Sequence, residues 1–254
     1  MIVITGPGRS GTSFLATLYR DLGLDPGGVW NPVARAGFED RAVVRMNHRL
    51  LRELGMAASG RQFRFTPDER IPGRLKSLAR RMIPTGTQAA IRSALREPPW
   101  RSPDRVDVVR WDVFDDVVER HAPELRKLAA ERTVVKDPTF CWTLGVWCAA
   151  GVPVEHVLIA VRSLDAMARS RLSQQWLTSR SLGPLKNWMA YGTGLLMSTI
   201  HDLRLEHAIV RFPDFLSDPE TLYRAMQLPG TISYEAFAEA FRSNVDPDLV
   251  HDHR

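Results

Sequence analysis

Residues 3–14, VITGPGRSGTSF, constrain this chain more than any other stretch. The apolar run IVIT at 2–5 passes without a linker into glycines at 6, 8 and 11, and then into a helix-forming sequence that begins near Thr12. Glycines so spaced let the backbone take positive φ and turn consecutive N–H groups toward one point. The following helix aims its own unpaired N–H groups and positive dipole end at the same point. The segment therefore predicts a strand, an anion-holding loop and a helix. In a nucleotide-triphosphate loop of the form G-x-x-x-x-G-K-[ST], lysine follows the last glycine, and here that position is Thr12. Arg9, Ser10, Thr12 and Ser13 offer side-chain donors beside the backbone of Gly11. A glycine-rich turn between strand and helix is common and often binds nothing, so the anion must be argued from more than the glycines.

Similar apolar runs recur at 133–136, 156–161 and 208–212. Continuous β-rich runs of this kind read as strands buried on both faces of a parallel sheet. Between and after them, helical patterns fall at 12–23, 39–54, 115–130, 139–150, 163–176, 184–204 and 217–226, with Ser217 or Asp218 as a cap of the last. This alternation predicts an α/β three-layer sandwich with a central, mainly parallel sheet of the P-loop nucleotide-binding type, its ligands beyond the carboxyl ends of the strands. The 254 residues suit a single domain over 1–254. Residues 59–110, rich in proline and charge, read as a lid or helical, irregular insertion within it.

A net charge of +5 favours anionic ligands, yet only Lys76, Lys127, Lys136 and Lys186 are lysine among the 34 basic residues. The densest basic stretch, Arg61 to Arg101, is broken by Pro67, Pro72, Pro84, Pro98 and Pro99 and lacks the interleaved aromatic ladder expected of a single-strand binder, which argues against a nucleic-acid partner. No signal peptide pattern and no apolar stretch of membrane-spanning length is present, and Cys141 and Cys148 lie seven apart, two helical turns, too far for a disulfide. The expectation is a soluble cytoplasmic protein with reduced thiols and no structural metal site.

The string PGRSGTSF orders a basic residue, a serine, a glycine, two hydroxyls and an aromatic as the phosphosulfate loop of the sulfotransferases does. The chain resembles that family, which moves a sulfo group from 3′-phosphoadenosine 5′-phosphosulfate (PAPS) to an acceptor. Cytosolic members carry proline, lysine, serine, glycine, two threonines and tryptophan in this order. The resemblance implies that Arg9 replaces the lysine near the bridging oxygen, that Ser10, Gly11, Thr12 and Ser13 wrap the 5′-phosphate, and that Phe14 stacks on adenine. The family grips the 3′-phosphate with an arginine and a serine eight residues later, and Arg162 and Ser170 have that spacing after the run 156–161. RFPDFLSDPETLYRAM at 211–226 is similar to the family's strand, short turn and acidic helix start.

Lys136 matches a lysine that the cytosolic enzymes carry two residues before a catalytic histidine, but the histidine position here is Pro138. Another base is required, or none. Bacterial and tyrosyl-protein members, closer to this chain with arginine before Ser-Gly-Thr, use a glutamate after the first helix, and Glu39 in GFED stands in that place. Asp137 and His48 are its rivals, and Glu39 and Asp40 also suit a helix N-terminus, where acidic residues are favoured in any case. No Arg-Lys-Gly segment follows residue 226, so either another basic residue in 171–204, such as Arg171 or Arg180, covers the 3′-phosphate or that end of the cofactor is more exposed. Phe38, Trp111, Trp142, Trp147, Trp176, Trp188 and Tyr191 are the candidates for an apolar acceptor pocket, some of them core. The implied function is sulfo transfer to a hydroxyl or amine of a small-molecule or carbohydrate acceptor, and a homodimer is compatible with it. An ATP-dependent small-molecule kinase and an inactive nucleotide-binding module are the alternatives.

Overall fold

The computed structural model describes residues 1–31, 36–56, 109–172 and 182–245. Four strands form the central sheet, β1 (Ile2–Thr5), β4 (Val134–Lys136), β5 (His156–Val161) and β6 (His207–Arg211), all parallel in the order β4-β1-β5-β6. Their register pairs Ile4 with Lys136 on one side and with Leu158 on the other. A separate antiparallel hairpin joins β2 (Trp30–Asn31) to β3 (Ala36–Gly37). Three of the four sheet strands are the apolar runs expected, within one residue at each end, and β4 begins one residue late. The two-residue hairpin strands are too short for any alternation to mark them.

Eight α-helices are described: α1 (Thr12–Asp21), α2 (Arg41–Glu53), α3 (Phe114–Ala130), α4 (Phe140–Ala149), α5 (Leu164–Leu172), α6 (Leu182–Leu203), α7 (Pro219–Ala225) and α8 (Tyr234–Asn244). Alternate strand residues feed two cores. Val3, Val135, Val157 and Ile159 face α2, α3, α4 and α6, packing on Leu50, Leu125, Phe140 and Leu196. Ile2, Ile4, Val134, Leu158 and Ala160 face α1, α7 and α8, packing on Leu15, Leu222 and Phe237. The sheet is thus covered on both faces, a three-layer arrangement. Helix α4 has seven buried residues of ten, which is why its sequence is apolar all round. Helix α8 was not expected from the sequence, although Ser233 caps it by accepting from the Ala236 N–H at 3.3 Å and Phe237 and Phe241 bury one stripe. The insertion expected at 59–110 lies outside the described residues except for Val109 and Arg110. No described helix is long and apolar enough to cross a membrane.

The strand order positions the site. The chain leaves β1 for β4 on one side, crosses back to β5 on the other, and continues outward to β6. Segments leaving β1 and β5 therefore diverge and open a crevice at the carboxyl edge, the place where ligands bind in such sheets.

Candidate functional site

The loop after β1 is held tightly against β5. A Cβ on Gly6, whose φ is +141°, would lie 2.1 Å from the Ala160 carbonyl oxygen. Gly11 caps α1 with φ +102° and backs onto Phe212, whose ring would come within 3.0 Å of a Cβ there. With glycine as N-cap, no side chain caps the first turn of α1. Ser10 is fully buried in this loop and its hydroxyl has no hydrogen-bond partner among the described residues. A buried unpaired hydroxyl is costly, and an anion or bridging water satisfies it.

Arg9 takes φ +77° and its Nε donates to Ser170 Oγ at 3.1 Å, so two residues singled out from distant motifs meet. Arg162 stands just beyond β5, its guanidinium carbon 5.0 Å from the centre of the Phe212 ring. Arg171, one residue on from Ser170, is only 5% exposed and lies against Gly8. Burial and the charge of Arg9 pull its pKa down to about 10, which leaves it cationic at neutral pH. Phe14 turns into the second core: its ring stacks on Phe215 at 5.7 Å and meets Phe241 edge-on at 5.8 Å.

Lys136 ends β4 with a side chain 1% exposed. Its Nζ donates to Ser13 Oγ at 3.3 Å, to the Gly37 carbonyl at 3.2 Å and to Glu39 Oε1 at 2.5 Å. One ammonium thereby ties the start of α1, the hairpin and the segment before α2. Glu39 reaches it because its neighbours are pinned separately. Phe38, at φ +58°, is buried against the α1 side with Arg20 over its ring, and a Cβ on Gly28 would lie 2.3 Å from the Glu39 carbonyl oxygen. Asp40 is the helix cap, accepting from the N–H groups of Ala42 at 2.8 Å and Val43 at 3.0 Å. The two acidic residues divide the roles that the sequence left open, since Asp40 caps the helix while Glu39, 38% exposed at its side chain, pairs with Lys136.

Asp137 is placed differently. It is buried, and its two carboxylate oxygens accept from the Thr139 N–H and from Asn47 Nδ2, both at 2.8 Å. Asn47 Oδ1 in turn accepts from Thr143 Oγ1 and Trp147 Nε1, each at 2.8 Å. Burial, and next the charge of Glu39, push the Asp137 pKa up to about 6 against the pull of these hydrogen bonds. It is an internal anchor of the corner after β4. Burial lowers the pKa of His48 while the Glu39 carboxylate raises it. Because Glu39 precedes the extended cap rather than lying on α2, helix rise does not set its distance from His48, and the two interact.

Asn47 is the member of this region that sequence reasoning missed. Its signal was a polar residue inside the apolar stripe Val43, Met46, Leu50 of α2. Among the aromatic candidates, Phe38 and Trp147 are core, Trp111 is 60% exposed, and Trp142 and Trp188 stack at 4.1 Å between α4 and α6. Tyr191 accepts the Val109 N–H at 3.3 Å. Trp176 and Arg180 lie outside the described residues. Both cysteines are free, and burial pushes the Cys141 and Cys148 thiols up to about 12 and about 11. The chain matches no known family model, no curated protein and no solved structure.

Proposed function

We propose that the chain is a sulfotransferase, taking PAPS as donor and a hydroxyl or amine of a small-molecule or carbohydrate acceptor. The observation that carries the reading is the bond from Lys136 Nζ to Ser13 Oγ. In a P-loop kinase the hydroxyl at this loop position ligates magnesium. Here the same hydroxyl accepts from a buried ammonium, so the positive charge at the end of the loop belongs to the protein. That suits a donor whose transferable end needs fixed cations rather than a metal bridging β- and γ-oxygens.

The residues present fit the donor's anionic end. Gly6 and Gly11 leave the loop without side chains where it approaches the anion, the buried Ser10 hydroxyl calls for a partner, and Arg9 stands beside it. In this reading Ser10, Gly11, Thr12 and Ser13 hold the 5′-phosphate, Arg9 and Lys136 stabilise charge on the leaving oxygen, and Arg162 with Ser170 holds the 3′-phosphate. Bound PAPS supplies the activated sulfo group. Glu39 is the base that accepts the acceptor's proton, since its carboxylate, held by Lys136 at Oε1, is 38% exposed while that of Asp137 is buried with both oxygens bonded. Phe14, packed on Phe215 and Phe241, reaches adenine only by its remaining face.

The test is equilibrium binding of adenosine 3′,5′-bisphosphate against magnesium ATP, followed by mass spectrometry of a metabolite extract incubated with protein and either PAPS or magnesium ATP. Preferential binding of the bisphosphate and a product heavier by one sulfo group are expected. Preference for ATP with phosphorylated products would establish the kinase instead, and bisphosphate binding without any sulfated product would establish an inactive binding module.

A further inference from the structure

A cation that the donor assignments above do not use lies beside the loop. Arg171 Nη1 lies 2.9 Å from the point where a Cβ on residue 8 would stand, so glycine at 8 is what admits the guanidinium to the loop. The Arg171 guanidinium carbon is also 5.3 Å from the centre of the Trp188 ring, and Trp188 rests on Trp142. The planar head thus touches both an aromatic wall and the loop. Its neighbour Ser170 accepts from Arg9, and the charge of Arg9 acts on Arg171 directly. Two cations are thus kept together beside the loop, where the N-terminal end of α1 is also positive. Arg162 meets the loop elsewhere, over the Phe212 ring that backs Gly11.

We propose that Arg171 is a binding residue for the anionic 5′ end of the nucleotide, acting from the Trp188 side while the loop holds the same group through its backbone. The inference rests on the nucleotide-binding reading of the loop, and it separates Arg171 from the 3′-phosphate that the sequence offered it. Glycine at 8 and tryptophan at 188 then have one common purpose, to admit the guanidinium and to fix its plane.

Titration calorimetry at constant ionic strength with adenosine 5′-phosphosulfate, adenosine 3′,5′-bisphosphate and ATP tests it. Arg171→Gln is expected to lower affinity for the first two ligands by a similar factor, about 10- to 100-fold, the loss of a charge-assisted contact. Arg162→Ala is expected to weaken the bisphosphate alone. Gly8→Ala needs no unusual backbone angle, since Gly8 is not among the positive-φ glycines, and it should reproduce part of the Arg171→Gln loss by displacing the guanidinium. If Arg171→Gln fails to fold, Gly8→Ala and Arg171→Lys decide the matter, and both should weaken the two ligands alike. Affinities within about twofold of wild type for these variants, or a loss confined to the bisphosphate, overturn the assignment. Should the wild-type chain bind ATP but neither of the other ligands, the sulfotransferase reading fails and the variants are compared on ATP. A wild-type chain that binds none of the three overturns both.

Discussion

Replacing Asn47 by leucine removes the amide that ties α2 to the corner of β4. Leucine fills similar volume but neither donates to Asp137 Oδ2 nor accepts from Trp147 Nε1, both 2.8 Å bonds in the native chain. Thr143 keeps a second partner, the Thr139 carbonyl at 3.2 Å, so its hydroxyl adds little to the loss. Trp147 is fully buried, and leaving its indole N–H unpaired costs about 1–3 kcal/mol. The bond to the carboxylate is worth about 1.5–3 kcal/mol. The expected destabilisation is about 3–5 kcal/mol, a large part of the roughly 5–15 kcal/mol that holds a domain together. Part of it depends on pH. Burial and Glu39 raise the Asp137 pKa from 3.8 to about 6, and Asn47 opposes that rise. A carboxyl whose folded pKa is raised stabilises the fold below its unfolded pKa, and that stability is lost as pH rises through the folded value. Without Asn47 the folded pKa climbs further, so the variant's deficit should be largest near about pH 8, with Asp137 ionised, and smaller near about pH 5, with it protonated in the fold. Urea denaturation of both proteins at the two pH values measures this. A deficit under about 1 kcal/mol, or one larger at the lower pH, would refute the network as described.

Glu39→Gln should lower turnover on an aliphatic hydroxyl by about 10²–10⁴ with bisphosphate affinity nearly kept, and retention of wild-type turnover in steady-state assays would move the base elsewhere. Gly6→Ala combines a clash at 2.1 Å with the Ala160 carbonyl and a φ of +141°, so thermal melts should show a loss of about 3 kcal/mol or more together with loss of nucleotide binding. Chelator treatment should leave sulfo transfer intact; activity abolished by chelator and restored by magnesium would contradict a site that relies on Arg9 and Lys136 for its positive charge.

Much of the fold was legible because three of its four sheet strands, β1, β4 and β5, are covered on both faces. Such strands read as unbroken apolar runs, and β1 and β5 have the expected bounds. The hairpin carrying Gly37 was not legible, since two residues per strand show no period. Helix α8 carried a cap signal in Ser233 but follows the last recognised motif. At the site, the loop and its residues 9–13 declared themselves, because a glycine-rich turn between strand and helix is a local pattern. The difference between Glu39 and Asp40 did not. Both suit a helix start, and only the fold pairs Glu39 with Lys136, 97 residues away along the chain, while Asp40 caps the helix.

Neighbours along the chain control the runs that become strands, the positive-φ loop after β1 and the stripes that bury most of the helices. Which polar groups meet depends on the fold. Arg9 reaches Ser170 across 161 residues and Asn47 reaches Asp137 across 90. Backbone propensity and periodicity act over a few residues, whereas Coulomb forces and hydrogen bonds act through space. Their partners are set only when the order β4-β1-β5-β6 brings the strand ends to one edge.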